Sequence, residues 1–229
     1  SFLSKNPSRF LVNNWPTYYS KAKDCYIWDL NNKKYIDFSY MGVGTNVMGY
    51  SNKFINRAVI QSIKKSSMST LNSPEEVYFA KKLLKIHPWA SQAKFAKTGA
   101  EANAIAVRIA RTFNKKNKII ICGYHGWHDW YLSAKMQKNN FVDTHLFSNL
   151  KIGGVPKALK NLTFSFKYND FEGLKKIIRK NKDVAAVIME VQRDTEPTKN
   201  FLKNVRHICS KNNICLIFDE CTTGFREHY

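Results

Sequence analysis

Val184-Ala185-Ala186-Val187-Ile188-Met189-Glu190 is a run of six apolar residues closed by an acid, and its reading decides the fold. A run that short, with no polar residue inside it, reads as a strand buried on both faces. Working outward, runs of the same kind occupy Lys118–Cys122, 162–166 and 214–219, with the first strand extending over 184–191. Stretches with helical spacing stand between them at 100–113, 170–180 and 199–212. Buried strands separated by amphipathic helices imply an α/β fold with a mostly parallel sheet sandwiched by helices.

The N-terminal part has a different texture. Residues 25–29 and 34–38 alternate apolar and polar around Leu30-Asn31-Asn32-Lys33, which predicts a small peripheral β-hairpin with an Asn-rich turn. Helical spacing follows at 52–66 and again over Pro74–Ile86. The second stretch carries Ser73 as N-cap, Pro74 at the first helical position and Glu75-Glu76 in the first turn. The segment 133–160, which includes Gly153-Gly154-Val155-Pro156, has the weakest periodicity and is expected to be a long loop over the active face. Two regions result, an N-terminal segment 1–45 and a larger domain 46–229.

With 229 residues, 44% of them hydrophobic, the chain is long enough to bury a substantial core. No stretch is long and apolar enough for a membrane helix, and residues 1–10 lack the charged-then-apolar order of a secretion signal, so a cytoplasmic protein is expected. Neither Ser1 nor Arg226-Glu227-His228-Tyr229 resembles a natural terminus, and truncation at both ends is expected. The net charge of +20 invites a nucleic-acid reading. Its distribution argues against one: Lys64, Lys65, Lys81, Lys82, Lys175 and Lys176 are scattered along helices, and arginine is scarce beside lysine. Five cysteines, Cys25, Cys122, Cys209, Cys215 and Cys221, include no C-x-x-C pair, so buried free thiols are expected instead of disulfides or a zinc ribbon.

Ligands of open α/β sheets bind beyond the carboxyl ends of the strands, so the residues after each apolar run matter most. At Lys97-Thr98-Gly99-Ala100-Glu101-Ala102 a short strand is expected to pass through a glycine into a helix with a small apolar face of Ala102, Ile105, Ala106, Ile109 and Ala110. Free N–H groups at such a helix start suit a phosphate, although an ordinary strand-to-helix turn has the same look. After Lys118–Cys122 comes Gly123-Tyr124-His125-Gly126-Trp127-His128-Asp129, whose aromatic residue can lie flat on a planar ligand. A metal reading of His125, His128 and Asp129 also exists, but His-x-x-His in a loop lacks fixed geometry, and no metal is expected. Glu190 and Asp219-Glu220 end two buried strands; such acids either serve a cationic ligand or merely cap helices and pair with lysines. Taken together, a phosphate cradle, a flat aromatic and a desolvated carboxylate match a phosphorylated pyridine, namely pyridoxal phosphate.

These motifs resemble the class III pyridoxal-phosphate-dependent aminotransferases, in particular the branch of glutamate-1-semialdehyde 2,1-aminomutase. The resemblance runs from Tyr26-Ile27-Trp28-Asp29 and Tyr35-Ile36-Asp37-Phe38 through Thr98-Gly99-Ala100-Glu101-Ala102, Tyr124-His125-Gly126 and Val187-Ile188-Met189-Glu190. It ends with Phe218-Asp219-Glu220-Cys221-Thr222-Thr223-Gly224-Phe225-Arg226. It implies the large domain of the fold type I pyridoxal-phosphate transferases, with 1–45 belonging to the family's small domain and 46–229 forming part of the cofactor-binding domain. Carried over by position, Thr98, Gly99 and Ala100 hold the phosphate, Tyr124 stacks on the pyridine with His125 beside it, and Asp219 is the catalytic acid on the ring nitrogen. Glu190 lies near the cofactor's substituted edge, and Cys221 stands where the family has a branched aliphatic residue on the other ring face. After Glu190 the family usually has proline, whereas Val191-Gln192 follows here.

The family's Schiff-base lysine comes after another strand beyond the Asp motif, and no lysine in these 229 residues matches it by motif; Lys97 and Lys118 are read as sheet residues. The resemblance therefore implies an intact parent that transfers an amino group from a small-molecule donor to a carbonyl acceptor as a homodimer, while this chain alone is inactive. Two other readings stay open, an intramolecular amino shift of the aminomutase kind and a non-catalytic α/β module binding polyanions. The substrate is not legible, although 133–160 and Met41-Gly42-Val43-Gly44 are expected to line the entrance.

Overall fold

The structure, a computed structural model, describes residues 15–39, 41–42, 44–66, 68–138, 140–142, 152–192 and 194–226. The chain divides into two compact units, one ending at Phe79 and one beginning at Ala80.

In the first unit β1 (Tyr19–Lys23), β2 (Tyr26–Asp29) and β3 (Lys34–Ile36) form an antiparallel sheet in that order. The expected hairpin is β2 and β3; β1 is an additional strand. Asp29 organises the turn, its Oδ1 accepting the N–H groups of Asn31 and Lys33 and its Oδ2 the Tyr35 hydroxyl, each at 2.9 Å. Asn32 supplies the left-handed conformation the turn needs, at φ +63°. Helix α1 (Lys53–Lys65) starts where Asn52 accepts the N–H groups of Phe54 and Ile55, and none of its side chains is buried. Helix α2 (Pro74–Ile86) has the expected bounds. Ser73 stands at its N-cap position, and its hydroxyl donates to the Glu75 carboxylate.

The second unit holds β4 (Lys118–Cys122), β5 (Thr163–Ser165), β6 (Val184–Glu190) and β7 (Cys215–Asp219), all parallel, in the order β5-β4-β6-β7. Helix α3 (Gly99–Asn114) precedes β4, and the short helix α4 (Asp129–Leu132) follows it. Helices α5 (Phe171–Lys180) and α6 (Phe201–Lys211) connect β5 to β6 and β6 to β7. Strand alternation sends Ile119, Ile121, Ala186 and Ile188 to one face, where Val107 and Ala110 of α3 and Tyr131 and Leu132 of α4 cover them. Ile120, Cys122, Val187 and Met189 go to the other face, under Leu174 and Ile178 of α5 and Phe201, Val205 and Cys209 of α6. Glu190 and Asp219 continue the alternation on the α3 face. No helix among the described residues is long and apolar enough to cross a membrane.

Four expectations need correction. The short strand expected from Lys94 into the turn at Thr98 is not formed; residues 94–97 pair with no described strand, and Lys97 is an exposed loop residue and not part of the sheet. The buried stripe of α3 is Asn103, Val107 and Ala110, while Ala102 and Ile109 are exposed, so the apolar face is displaced from the one read in sequence. Segment 133–160 is not simply a loop: Ser133–Met136 and Lys157–Leu159 are 3-10 turns, and Ala134, Val142 and Val155 are buried in the core. Its central residues, 143–151, lie outside the described residues, as does Val43 of the glycine-rich segment. All five cysteines are free, but only Cys122 and Cys209 are buried.

Candidate functional site

The sheet brings the ends of β4, β6 and β7 side by side, with Glu190 and Asp219 in register as neighbours. Asp219 is 6% exposed and Glu190 5%, so each carboxylate depends on protein donors to stay charged.

Asp219 has three such donors. Oδ2 receives the Asn103 amide at 2.7 Å and faces His125 Nδ1 at 2.9 Å, and Oδ1 receives the Cys221 N–H at 3.1 Å. Burial alone would push this carboxyl up. The bond and attraction from His125, the Cys221 N–H and the Asn103 amide outweigh it and hold the acid down at about 2. A carboxylate offers about four lone-pair sites. Both on Oδ2 are taken and one on Oδ1 is taken, so the remaining directional acceptor is on Oδ1. The thiol of Cys221 stands beside it as a weak hydrogen-bond donor to the carboxylate that a ring N–H would displace; the residue is exposed but its thiol is partly covered, and that covering together with the Asp219 charge pushes it up to about 12.

His125 is buried between Asp219 and the carbonyl of Cys122, 3.2 Å from Nε2. It is thus a residue behind the acid. Among the described residues no three His, Cys, Asp or Glu side chains are grouped to hold a metal ion. Glu190 accepts the Tyr124 N–H at 3.0 Å and the Thr222 hydroxyl at 3.5 Å. Gly123, at φ +110°, makes that approach possible, since a Cβ there would lie 2.5 Å from Glu190 Oε2. The half-buried Tyr124 ring meets Tyr131 edge-on, with centroids 5.8 Å apart.

The start of α3 closes the arrangement. Thr98 is its N-cap in a capping box: Thr98 Oγ1 accepts the Glu101 N–H at 3.2 Å, and Glu101 Oε2 takes the N–H groups of Lys97 and Thr98. The N–H groups of Gly99 and Ala100 are given no acceptor by any of these contacts, and a helix start with free N–H groups attracts an anion. A Cβ on Gly99 would come within 2.7 Å of Cys221 Sγ, and one on Gly126, at φ +107°, within 2.6 Å of Ala100 Cβ. The turn at 98–100, the loop at 124–126 and the loop after β7 therefore touch one another.

The residues read as cofactor-binding thus lie near one another, with Thr98 and Cys221 exposed, Gly99, Ala100 and Tyr124 half-buried, and His125, Glu190 and Asp219 buried; none of the contacts described above brings His128, Asp129 or residues 41–44 to them. The strand-end acids neither cap helices nor pair with lysine through the contacts described above. Sequence reasoning missed Asn103, the polar residue on the buried stripe of α3 one turn beyond Gly99, and Thr222. The first is signalled by its i, i+4, i+7 spacing with Val107 and Ala110; the second has no such signal.

The family model described as Aminotransferase class-III matches residues 10–227. A glutamate-1-semialdehyde 2,1-aminomutase of Nitrosopumilus maritimus is 38% identical over 219 residues, 93% of this chain and 50% of that protein. A 3-aminobutyryl-CoA aminotransferase of Cloacimonas acidaminovorans is 33% identical over 97% of this chain and 51% of its own length. The chain thus spans about half the length of these curated relatives. In fold it resembles a glutamate-1-semialdehyde aminomutase variant from Pseudomonas aeruginosa PAO1 in complex with PMP, with TM-score 0.74 and 19% identity over 90% of this chain and 45% of that one.

Proposed function

The chain belongs to the class-III aminotransferase family, and from that premise we propose that the whole protein is a pyridoxal 5′-phosphate enzyme transferring an amino group from a small-molecule donor to a carbonyl acceptor. The observation that carries the reading is Asp219, a buried carboxylate with one directional acceptor left on Oδ1, one loop away from an α3 start whose Gly99 and Ala100 N–H groups are open. A pyridinium N–H at one end and an ester phosphate at the other are what those two features fit. PMP, bound by a fold relative, is the amino form of the same cofactor.

When bound, the cofactor supplies an electron sink for charge developing at the carbon that bears the amino group. The chain's own residues would hold and polarise it. Asp219 accepts the ring N–H and keeps that proton in place, because its carboxyl, held at about 2, has little tendency to take it. His125 and Asn103 fix the orientation of the acid. Thr98, Gly99 and Ala100 hold the phosphate, with the positive end of α3 behind them. Tyr124 and Cys221 would pack against the ring, and Glu190, tied to the Tyr124 N–H, would border its substituted edge. The reading assigns the covalent anchor to none of the lysines in these residues. It also keeps 1–45 in the family's small domain and 46–229 in the cofactor-binding domain.

A second reading, intramolecular amino transfer, has its own support in the 38% identity to an aminomutase. Incubating the full-length protein with a labelled amino donor separates the two, since label in the product excludes a purely internal shift. The cofactor assignment is tested by titrating the full-length protein and Asp219→Asn with PMP: binding weakened at least tenfold by the substitution is expected, and equal binding by both proteins would remove the assignment. We further propose a homodimer. The apolar residues Phe54, Ile55, Val59, Ile60 and Ile63 of α1 are all exposed, as expected of a surface that a second copy covers; sedimentation at a single monomer mass would refute it.

A further inference from the structure

We propose that Asn103 is a positioning residue that ties Asp219 to the helix carrying the phosphate-binding turn and thereby leaves only Oδ1 of the acid open to the cofactor's ring nitrogen. The inference rests on the cofactor reading above and goes beyond it, because the motif resemblance assigns Asn103 no role.

Asn103 is polar, 8% exposed, and lies on the stripe of α3 otherwise made of Val107 and Ala110. A buried amide on an apolar stripe is costly unless it is bonded. Its Nδ2 donates to Asp219 Oδ2 at 2.7 Å and also lies 3.4 Å from the His125 carbonyl. One side chain therefore spans from the first turns of α3, just after Gly99 and Ala100, to the end of β7 and the loop after β4. Without it, Oδ2 would face His125 alone and keep a free lone pair. The carboxylate could then turn either oxygen toward the ring. With it, Oδ2 is full, and the distance between the phosphate end and the nitrogen end of the site is set through a single helix.

A merely structural Asn103 and a positioning one differ in how they couple to Asp219. The test is a double-mutant cycle in the full-length protein, using Asn103→Ala, Asp219→Asn and the pair. The probe is pyridoxamine 5′-phosphate, whose binding requires no covalent step. Removing Asn103 is expected to weaken probe binding about tenfold when Asp219 is present, since a hydrogen bond to a charged group is lost. In the Asp219→Asn background the further loss is expected to stay within about twofold. The ring nitrogen of ¹⁵N-labelled probe gives an independent readout: its deprotonation in Asn103→Ala should occur about one pH unit lower than in the wild type. Asn103→Leu, which keeps the volume and removes the donor, takes the place of Asn103→Ala if the latter does not fold. Equal losses in both backgrounds, or no loss in either, would overturn the positioning role while leaving the cofactor assignment standing. Failure of the wild-type protein to bind the probe would overturn both.

Discussion

Replacing Asp219 by Asn keeps the side chain's shape and removes its charge, and the structure sets the cost. The surrounding donors hold this carboxyl down at about 2, against 3.8 for an ordinary aspartic acid, a difference on the order of 2 kcal/mol of folding stability at neutral pH. The folded value lies below the unfolded one, so the contribution is complete above about pH 4 and drains away as pH falls toward 2. Urea unfolding of the cofactor-free protein, with and without the substitution, measures the gap directly; cofactor must be absent because a ligand binding only the folded state would add its own stabilisation. Equal denaturant slopes for the two proteins are the condition for comparing them. The expected result is a variant less stable by roughly 2 kcal/mol at neutral pH, with the gap narrowing steadily below about pH 4. Equal stabilities at neutral pH, or a gap that persists undiminished into strong acid, would refute the claim that His125, Asn103 and the Cys221 N–H stabilise a charged carboxylate.

Other consequences are as specific. Gly99→Ala places a Cβ 2.7 Å from Cys221 Sγ, and overpacking of that kind costs about 1–3 kcal/mol. PMP affinity should fall by about tenfold, and Gly99→Ala combined with Cys221→Ala should restore most of it in the same titration. Gly123→Ala meets both a left-handed φ of +110° and a 2.5 Å approach to Glu190 Oε2; thermal unfolding should report a loss of about 1–3 kcal/mol, of which Glu190→Ala recovers only the part due to the clash. The Cys221 thiol, exposed yet pushed up to about 12, should alkylate about a thousandfold more slowly at mildly alkaline pH than an ordinary thiol. Peptide mapping after timed iodoacetamide treatment checks this, with the rate still climbing at the highest pH the fold tolerates.

How much of this was legible from the residues depended on whether a signal was local. Lys118–Cys122 and Pro74–Ile86 have the bounds read from sequence, because a strand buried on both faces is an unbroken apolar run and because Pro74 and Glu75-Glu76 mark a helix start. The positions at the ends of β4, β6 and β7 were also legible, since a sheet of this class puts its ligand residues there. The strand expected before Thr98 could not be judged locally, because strand formation needs a partner and none of the described strands supplies one. β1 went unread because its sequence, Tyr-Ser-Lys-Ala-Lys, is nearly all exposed and shows no apolar alternation. The face of α3 was misplaced because counting alanines and isoleucines skips Asn103, the residue that sits on the buried stripe. That amide is justified only by an acid 116 positions later in the chain, and no periodicity carries such information.

The acids at the strand ends pose a problem that the choice of donors resolves. Glu190 and Asp219 are in-register neighbours on parallel strands, and two buried like charges that close oppose each other's ionisation. Each is given a separate set of donors: the Tyr124 N–H and Thr222 for Glu190, and His125, Asn103 and the Cys221 N–H for Asp219. Their charge adds to burial in pushing two nearby thiols up to about 12: Glu190 acts on Cys122, and Asp219 together with Glu190 on Cys221. In a chain with 37 lysines and arginines, the ion-pair partner of Asp219 is a histidine. An arginine there would engage both carboxylate oxygens at once and close the acid to any ligand. An imidazole, an amide and one backbone N–H instead fill three of its four acceptor sites, so the acid stays charged and still has one direction in which to bind.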